Sequence, residues 1–257
     1  APAPRPVQSG YRIARLPWWI VEGWHLFAEA PGIWIVILLI YLAISVVLSF
    51  IPLVGSLAHA LLSPVLVGGM LYGAAAQGRG DDLEIAHLFQ GFRDQDRMGP
   101  LVMLGAISLG GYLLIGLVIL VFLGGGALMG VALDSSGALV PPEAMGGLLA
   151  GAGLAALLLI AVIGFLIAMA LFYGTPLVML AGQNAWPAVQ DSIVACWTNV
   201  LPLLVFGLIY LVLAVVATIP LGLGFLVLGP VTVCAVYASY RDVFGERSPP
   251  VRVSLSK

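Results

Sequence analysis

The sequence predicts an all-α fold: a polytopic membrane bundle of six transmembrane helices. Three observations carry that prediction. Apolar residues make up 61% of the 257 residues and charged residues only 9%, whereas soluble domains carry about 25% charged residues. Mean hydropathy is +1.12. All ten lysines and arginines fall in three short stretches, Arg5 to Arg15, Arg79 to Arg97 and Arg241 to Lys257, and the long apolar runs between them hold no cation.

Taken in order, residues 1–16 begin APAPRPVQSG and read as a Pro-rich flexible tail without the apolar core or cleavage site of a signal peptide. A single transmembrane domain is expected over 17–244, and a second polar tail over 245–257. A hydrocarbon core about 30 Å thick needs roughly 20 apolar residues of helix. Six segments approach that length: Ile33–Phe50, Leu57–Ala76, Pro100–Leu123, Leu148–Tyr173, Leu201–Thr218 and Leu221–Tyr240. The first two are joined by a tight hairpin, IPLVGS, and the last two by a tighter one around Pro220. GGGALMGVALDSSGALVPPEAMGG, between the third and fourth, reads as a Gly- and Pro-rich loop. Counting spans alternately places every cation on one side, which the positive-inside rule makes cytoplasmic. The expected protein thus lies in the bacterial inner membrane with both termini in the cytoplasm. Cys196 would face the cytoplasm, where thiols stay reduced.

The cytoplasmic segments share a design, a short amphipathic stretch that leads into a span. Ile20, Trp24 and Phe27 oppose Glu22, His25 and Glu29 in the first. Ile85, Leu88 and Phe92 oppose Glu84 and His87 in the second, and Val189, Ile193 and Trp197 oppose Gln190 and Asp191 in the third. That spacing suits helices lying in the membrane interface, with Trp18, Trp19, Trp24, Phe27, Phe89, Phe92 and Trp197 as aromatic anchors. The second span of each unit carries a proline: Ser63-Pro64-Val65, Thr175-Pro176-Leu177 and Gly229-Pro230-Val231. Three parallel units are expected, 17–78, 83–182 and 187–244, with Pro64, Pro176 and Pro230 as helix kinks. Small residues mark two spans: Gly110, Gly111 and Gly116 on the third, and Gly147, Gly151 and Ala155 on the fourth. They are read as faces for close helix packing, inside the bundle or against another membrane subunit.

Little in the sequence carries chemistry. Glu22-Gly-Trp-His25-Leu-Phe27 and Glu84-Ile-Ala-His87-Leu-Phe89 repeat a Glu-x-x-His pair of the kind found in di-iron bundles. Those bundles need two further inward carboxylates, and no span supplies one, so no metal is expected at Glu22, His25, Glu84 or His87. They read as the polar face of a repeated interfacial helix. His59, near the outer end of the second span, has no sequence-near carboxylate. No nucleotide loop, nucleophile elbow, zinc signature or haem-attachment motif appears. Arg79 to Arg97 mixes three arginines with five acids, a solvated surface and not a lipid clamp. A net charge of −2 does not point to nucleic acid.

EGWHLF followed by PGIW, IPLVGSLAHALLSPVLVGGM and LEIAHLFQGFR resemble an uncharacterised proteobacterial family of six-helix inner-membrane proteins, known as a domain of unknown function. More loosely, SIVACWTNVLPLL and YASYRDVF are similar to a wider group that includes the membrane domain beside some glycerophosphodiester phosphodiesterases. The resemblance covers most of 17–244 and implies the membrane fold. It transfers no catalytic residue, and the phosphodiesterase domain itself is absent from this sequence. The expectation is a non-enzymatic, cofactor-free accessory or scaffold subunit whose partners are the lipid bilayer and other membrane proteins. The alternative is a transporter or channel for a small neutral or lipid-like solute, for which a polar mid-membrane cavity at Pro64, Pro176 and Pro230 is the expected sign.

Overall fold

A computed structural model describes the backbone of residues 18–136 and 142–245, and their side chains except at 123 and 126–150. Every regular element among them is helical. α1 is Trp18–Glu29, α2 Pro31–Ser49 and α3 Val54–Arg79. A 3₁₀ turn at Ile85–Phe89 runs into the short α4, Gln90–Arg93. α5 is Gln95–Ser136, α6 Pro142–Met179, α7 Ala185–Thr198, α8 Val200–Thr218 and α9 Phe225–Phe244.

Five helices among the described residues, not six, are long and apolar enough to cross a membrane: α2, α3, residues Gln95–Phe122 of α5, residues Gly151–Met179 of α6, and α8. α9, the expected sixth span, has 20 residues but carries Arg241 and Asp242 in its last turn. It is buried along most of its length, from Leu228 to Phe244, so its surface meets neighbouring helices and does not need the uniform hydropathy that lipid demands. The expected loop between the third and fourth spans is also revised. α5 continues to Ser136, and α6 begins at Pro142. Alanine, leucine and methionine favour helix there, and Pro142 fits a first helical position, where its missing N–H is not needed. At 1.5 Å per residue, 123–136 extends α5 by about 20 Å beyond its spanning portion.

The bundle has two unlike ends. The base is where α3, α6 and α9 finish and where α1, the 83–93 segment and α7 sit. The distal end carries the turns α2–α3 and α8–α9. The core belongs to the base. Trp34, Leu71, Leu88, Leu101, Leu104, Tyr173, Leu177, Tyr237 and Tyr240 are fully buried there. One cluster joins α5, α6, α7 and the end of α9, and a second joins α2, α3, Leu83, Leu88 and the middle of α9. α3 is the central helix, with 44% of its spanning window buried against 11–17% for the other four.

Each short basal segment packs on a long proline-bearing helix. Residues 83–93 fold back on α3: a methyl at Gly69 would overlap the Leu88 carbonyl, and one at Gly91 would lie 2.8 Å from the Val65 carbonyl oxygen. α7 folds back on the last turns of α6. α1 crosses α9 at Gly23, where an added methyl would lie 2.7 Å from Ala235 N and from the Val231 carbonyl oxygen. It thereby links the clusters, with Trp19 in one and Leu26 and Phe27 in the other. At the distal end, α2 reverses into α3 through Leu53, whose φ of 64° and ψ of −62° form a γ-turn closed by Val54 N–H to the Pro52 carbonyl at 2.7 Å.

Candidate functional site

Polar side chains in an apolar bundle need partners, and the base supplies most of them. Trp34 Nε1 donates to Gln77 Oε1 at 2.8 Å, pinning α2 to α3 in the interior. The Ser192 hydroxyl of α7 enters the α6 ladder. It accepts from the Tyr173 N–H at 3.0 Å and donates to the Met169 carbonyl at 2.5 Å, the two groups of one i, i−4 pair. Pro176, one turn on, has no N–H for the Phe172 carbonyl, so α6 is interrupted twice in succession. The Tyr173 hydroxyl bonds to Ser239 of α9 at 2.5 Å. Arg97 bonds to the Met179 carbonyl at the end of α6 and pairs with Asp94 at 2.9 Å. α1 is tied to α9 by Trp19 Nε1 to Asp242 Oδ2 at 3.1 Å and by Arg241 to Glu22 at 3.1 Å.

These contacts separate the two Glu-x-x-His sequences. Glu22 is turned inward to Arg241, with about 15% of its side chain exposed, and is not on a free polar face; His25 is exposed. Glu84 and His87 instead form a capping box: the Glu84 carboxylate accepts the His87 backbone N–H, and Glu84 N–H donates to His87 Nδ1 at 3.2 Å. Among the described residues no group of three His, Cys, Asp or Glu side chains converges on a point that could hold a metal. His59 meets Ser45 Oγ through Nε2 at 3.1 Å.

The expected aromatic anchors divide. Trp18, Trp24 and Trp197 are exposed, whereas Trp19 and Phe27 are interior, and Phe89 and Phe92 are half-buried. Of the residues expected to pack helices, Gly111 meets Ile167, but a methyl on Gly110, Gly116 or Gly151 would meet nothing within 4 Å. Ala155 is exposed, and the surroundings of Gly147 lie outside the described residues. Both cysteines are buried and free; burial pushes the Cys196 thiol up to about 11.

Hollows lie among the described helices. Apolar grooves of about 620 and 440 Å³ flank α8, one against α1 and α9 and the other against α6 and α7. α8 is buried at only two points between them, Phe206 and Ala217. A further cleft, of about 290 Å³, lies where α3, α6 and α9 meet, lined by Ser63, Pro64, Phe172, Thr175, Thr232 and apolar neighbours. Of the three prolines, Pro64 alone lines it. The residue before the second proline, Thr175, and the residue two past the third, Thr232, face it in their place. Sequence reading missed these hydroxyls. Ser63 and Thr175 were signalled by the Ser-Pro and Thr-Pro pairs, in which a hydroxyl residue precedes the proline, whereas no such pair marked Thr232.

The long apolar helices define a multi-pass membrane protein. A probable inner membrane protein of Burkholderia thailandensis is 26% identical to this chain over 254 residues, covering 90% of the chain and 91% of the relative. The similarity extends over nearly the whole bundle and places the chain among multi-pass inner-membrane proteins. No family model matches the chain, and no solved structure matches it. The looser likeness to glycerophosphodiester phosphodiesterases finds no support in these comparisons.

Proposed function

We propose that this chain is a non-catalytic inner-membrane subunit or scaffold that docks a larger membrane protein complex through the distal halves of α5 and α6. The observation that carries the reading is a set of glycines that meet nothing among the described residues. Gly110, Gly116, Gly151, Gly153 and Gly164 have open space where a side chain would stand. Each costs roughly 0.5–1 kcal/mol relative to alanine in a helix interior. In lipid such faces serve close approach of another helix. Leu113, Leu117, Leu154, Leu157 and Leu158 beside them are exposed. The cation distribution supports an orientation with the base and both termini in the cytoplasm. The packing of each short segment on a proline-bearing helix supports three repeated units, with α9 completing the sixth crossing.

Purification in mild detergent, with mass spectrometry of co-eluting proteins, tests this reading. A stoichiometric membrane partner is expected, and Gly116→Leu with Gly151→Leu should release it while leaving the chain folded. Recovery of the chain alone, monodisperse, under conditions that preserve other membrane complexes would contradict the reading. A second reading, passage of a small neutral or lipid-like solute, is favoured by the hydroxyl-lined cleft between α3, α6 and α9.

A further inference from the structure

We propose that the cleft between α3, α6 and α9 binds a small uncharged molecule with an apolar body and at least one hydroxyl or carbonyl oxygen. Its walls are mainly apolar, with Val67, Leu71, Leu171, Phe172, Val233 and Val236 around about 290 Å³. Three helices each direct one hydroxyl residue to it. Thr175 is only 4% exposed, yet among the described residues its hydroxyl has no hydrogen-bond partner, and neither has that of Ser63. The buried serines elsewhere do: Ser108 reaches the Gly105 carbonyl, Ser192 the Met169 carbonyl, and Ser239 the Tyr173 hydroxyl. Thr232 donates to the Leu228 carbonyl at 2.7 Å and keeps its acceptor capacity. The cleft therefore presents donors and acceptors together, the complement of an alcohol or a carbonyl compound.

Two other ligand classes fit poorly. A charged molecule would lose its hydration with no charged lining residue to replace it. A plain acyl chain would leave the Ser63 and Thr175 hydroxyls unmet in an apolar setting. The site deepens the transport reading without requiring translocation, and it does not depend on the docking reading.

The test is photolabelling of the purified full chain with a diazirine-bearing octanol and, in parallel, with the corresponding diazirine alkane. The alcohol should label residues 63–71, 168–175 and 232–236, and excess octanol should compete it away. Thr175→Val should reduce that labelling about fivefold, the worth of one hydrogen bond, and Ser63→Ala should reduce it similarly. Alkane labelling should not change in either variant. Equal labelling by the two probes, no saturable labelling, or unchanged labelling in both variants would overturn the proposal. A melting temperature serves as the second readout. Thr175→Val should melt at or above the parent, because an unpartnered hydroxyl contributes nothing to the fold. A marked drop would make Thr175 a structural residue and overturn its assignment. Specific binding without solute uptake into proteoliposomes would keep the site and remove the transport reading.

Discussion

The base of this bundle and the outer faces of α5 and α6 are built from similar residues and pack differently. At the base, Gly23, Gly69 and Gly91 each receive another segment against the backbone, while Gly32 and Gly99 meet nothing within 4 Å. On α5 and α6, Gly110, Gly116 and Gly151 receive nothing, although Gly111 meets Ile167, and Gly55 and Gly224 at the distal turns are closed against Leu48 and Ala217. The base also pairs buried polar groups with partners distant in sequence, Trp34 with Gln77 and Tyr173 with Ser239. Small residues alone therefore do not reveal whether a helix face packs within its own chain. That depends on whether the chain has another element to bring to it: a short segment at Gly69 and Gly91, the preceding helix at Gly55 and Gly224, and none at Gly116 and Gly151.

The contrast can be broken by substitution. Gly69→Leu should have the largest effect, since no side chain fits beside the Leu88 carbonyl. Loss of monodisperse protein in fluorescence-detected size exclusion is expected, while Gly151→Leu should stay within about 0.5 kcal/mol of the parent in stability. Equal behaviour of the two variants would erase the distinction between the ends. Next, Trp34→Phe keeps the ring but leaves the Gln77 carbonyl oxygen buried and unmet, a cost of about 1–3 kcal/mol, visible as a lower melting temperature in detergent. Ser192→Ala should cost less, about 1 kcal/mol, because Tyr173 N–H and the Met169 carbonyl can close on each other as an ordinary helical pair. A still smaller difference separates two ion pairs. Glu22→Gln, which breaks a mostly shielded pair with Arg241, should lower the melting temperature. Asp81→Asn, whose pair with Arg79 is solvent-exposed, should change it negligibly.

The sequence was most legible where lipid or charge alone sets the pattern. α2, α3 and α8 are within a few residues of the expected spans, because an uninterrupted apolar run of about 20 residues matches the thickness of a bilayer. Legibility failed where tertiary contacts replace lipid. α9 is less apolar because it is enclosed. α1 buries Trp19, Gly23, Leu26 and Phe27, not the Ile20–Trp24–Phe27 face, because it has two apolar sides and the one containing a glycine fits closest to α9. The 124–147 stretch read as a loop because glycine and proline interrupt helices in water. Its backbone is nonetheless helical through Ser136 and again from Pro142. Of the candidate site, the proline positions were visible, but the convergence of Ser63, Thr175 and Thr232 required the packing of three helices distant in sequence.

If the outer faces of α5 and α6 meet another protein, their exposed side chains lie within reach of it, whereas interior side chains at the base do not. Site-specific photo-cross-linking in intact cells tests it most directly, with a photoreactive residue placed in turn at Leu157, which is 62% exposed, and at Ile37, which is 1% exposed. A discrete adduct with a second membrane protein is expected from position 157, lost in Gly116→Leu with Gly151→Leu, and only intrachain adducts are expected from position 37. Lipid adducts alone from position 157, unchanged by those substitutions, would contradict it.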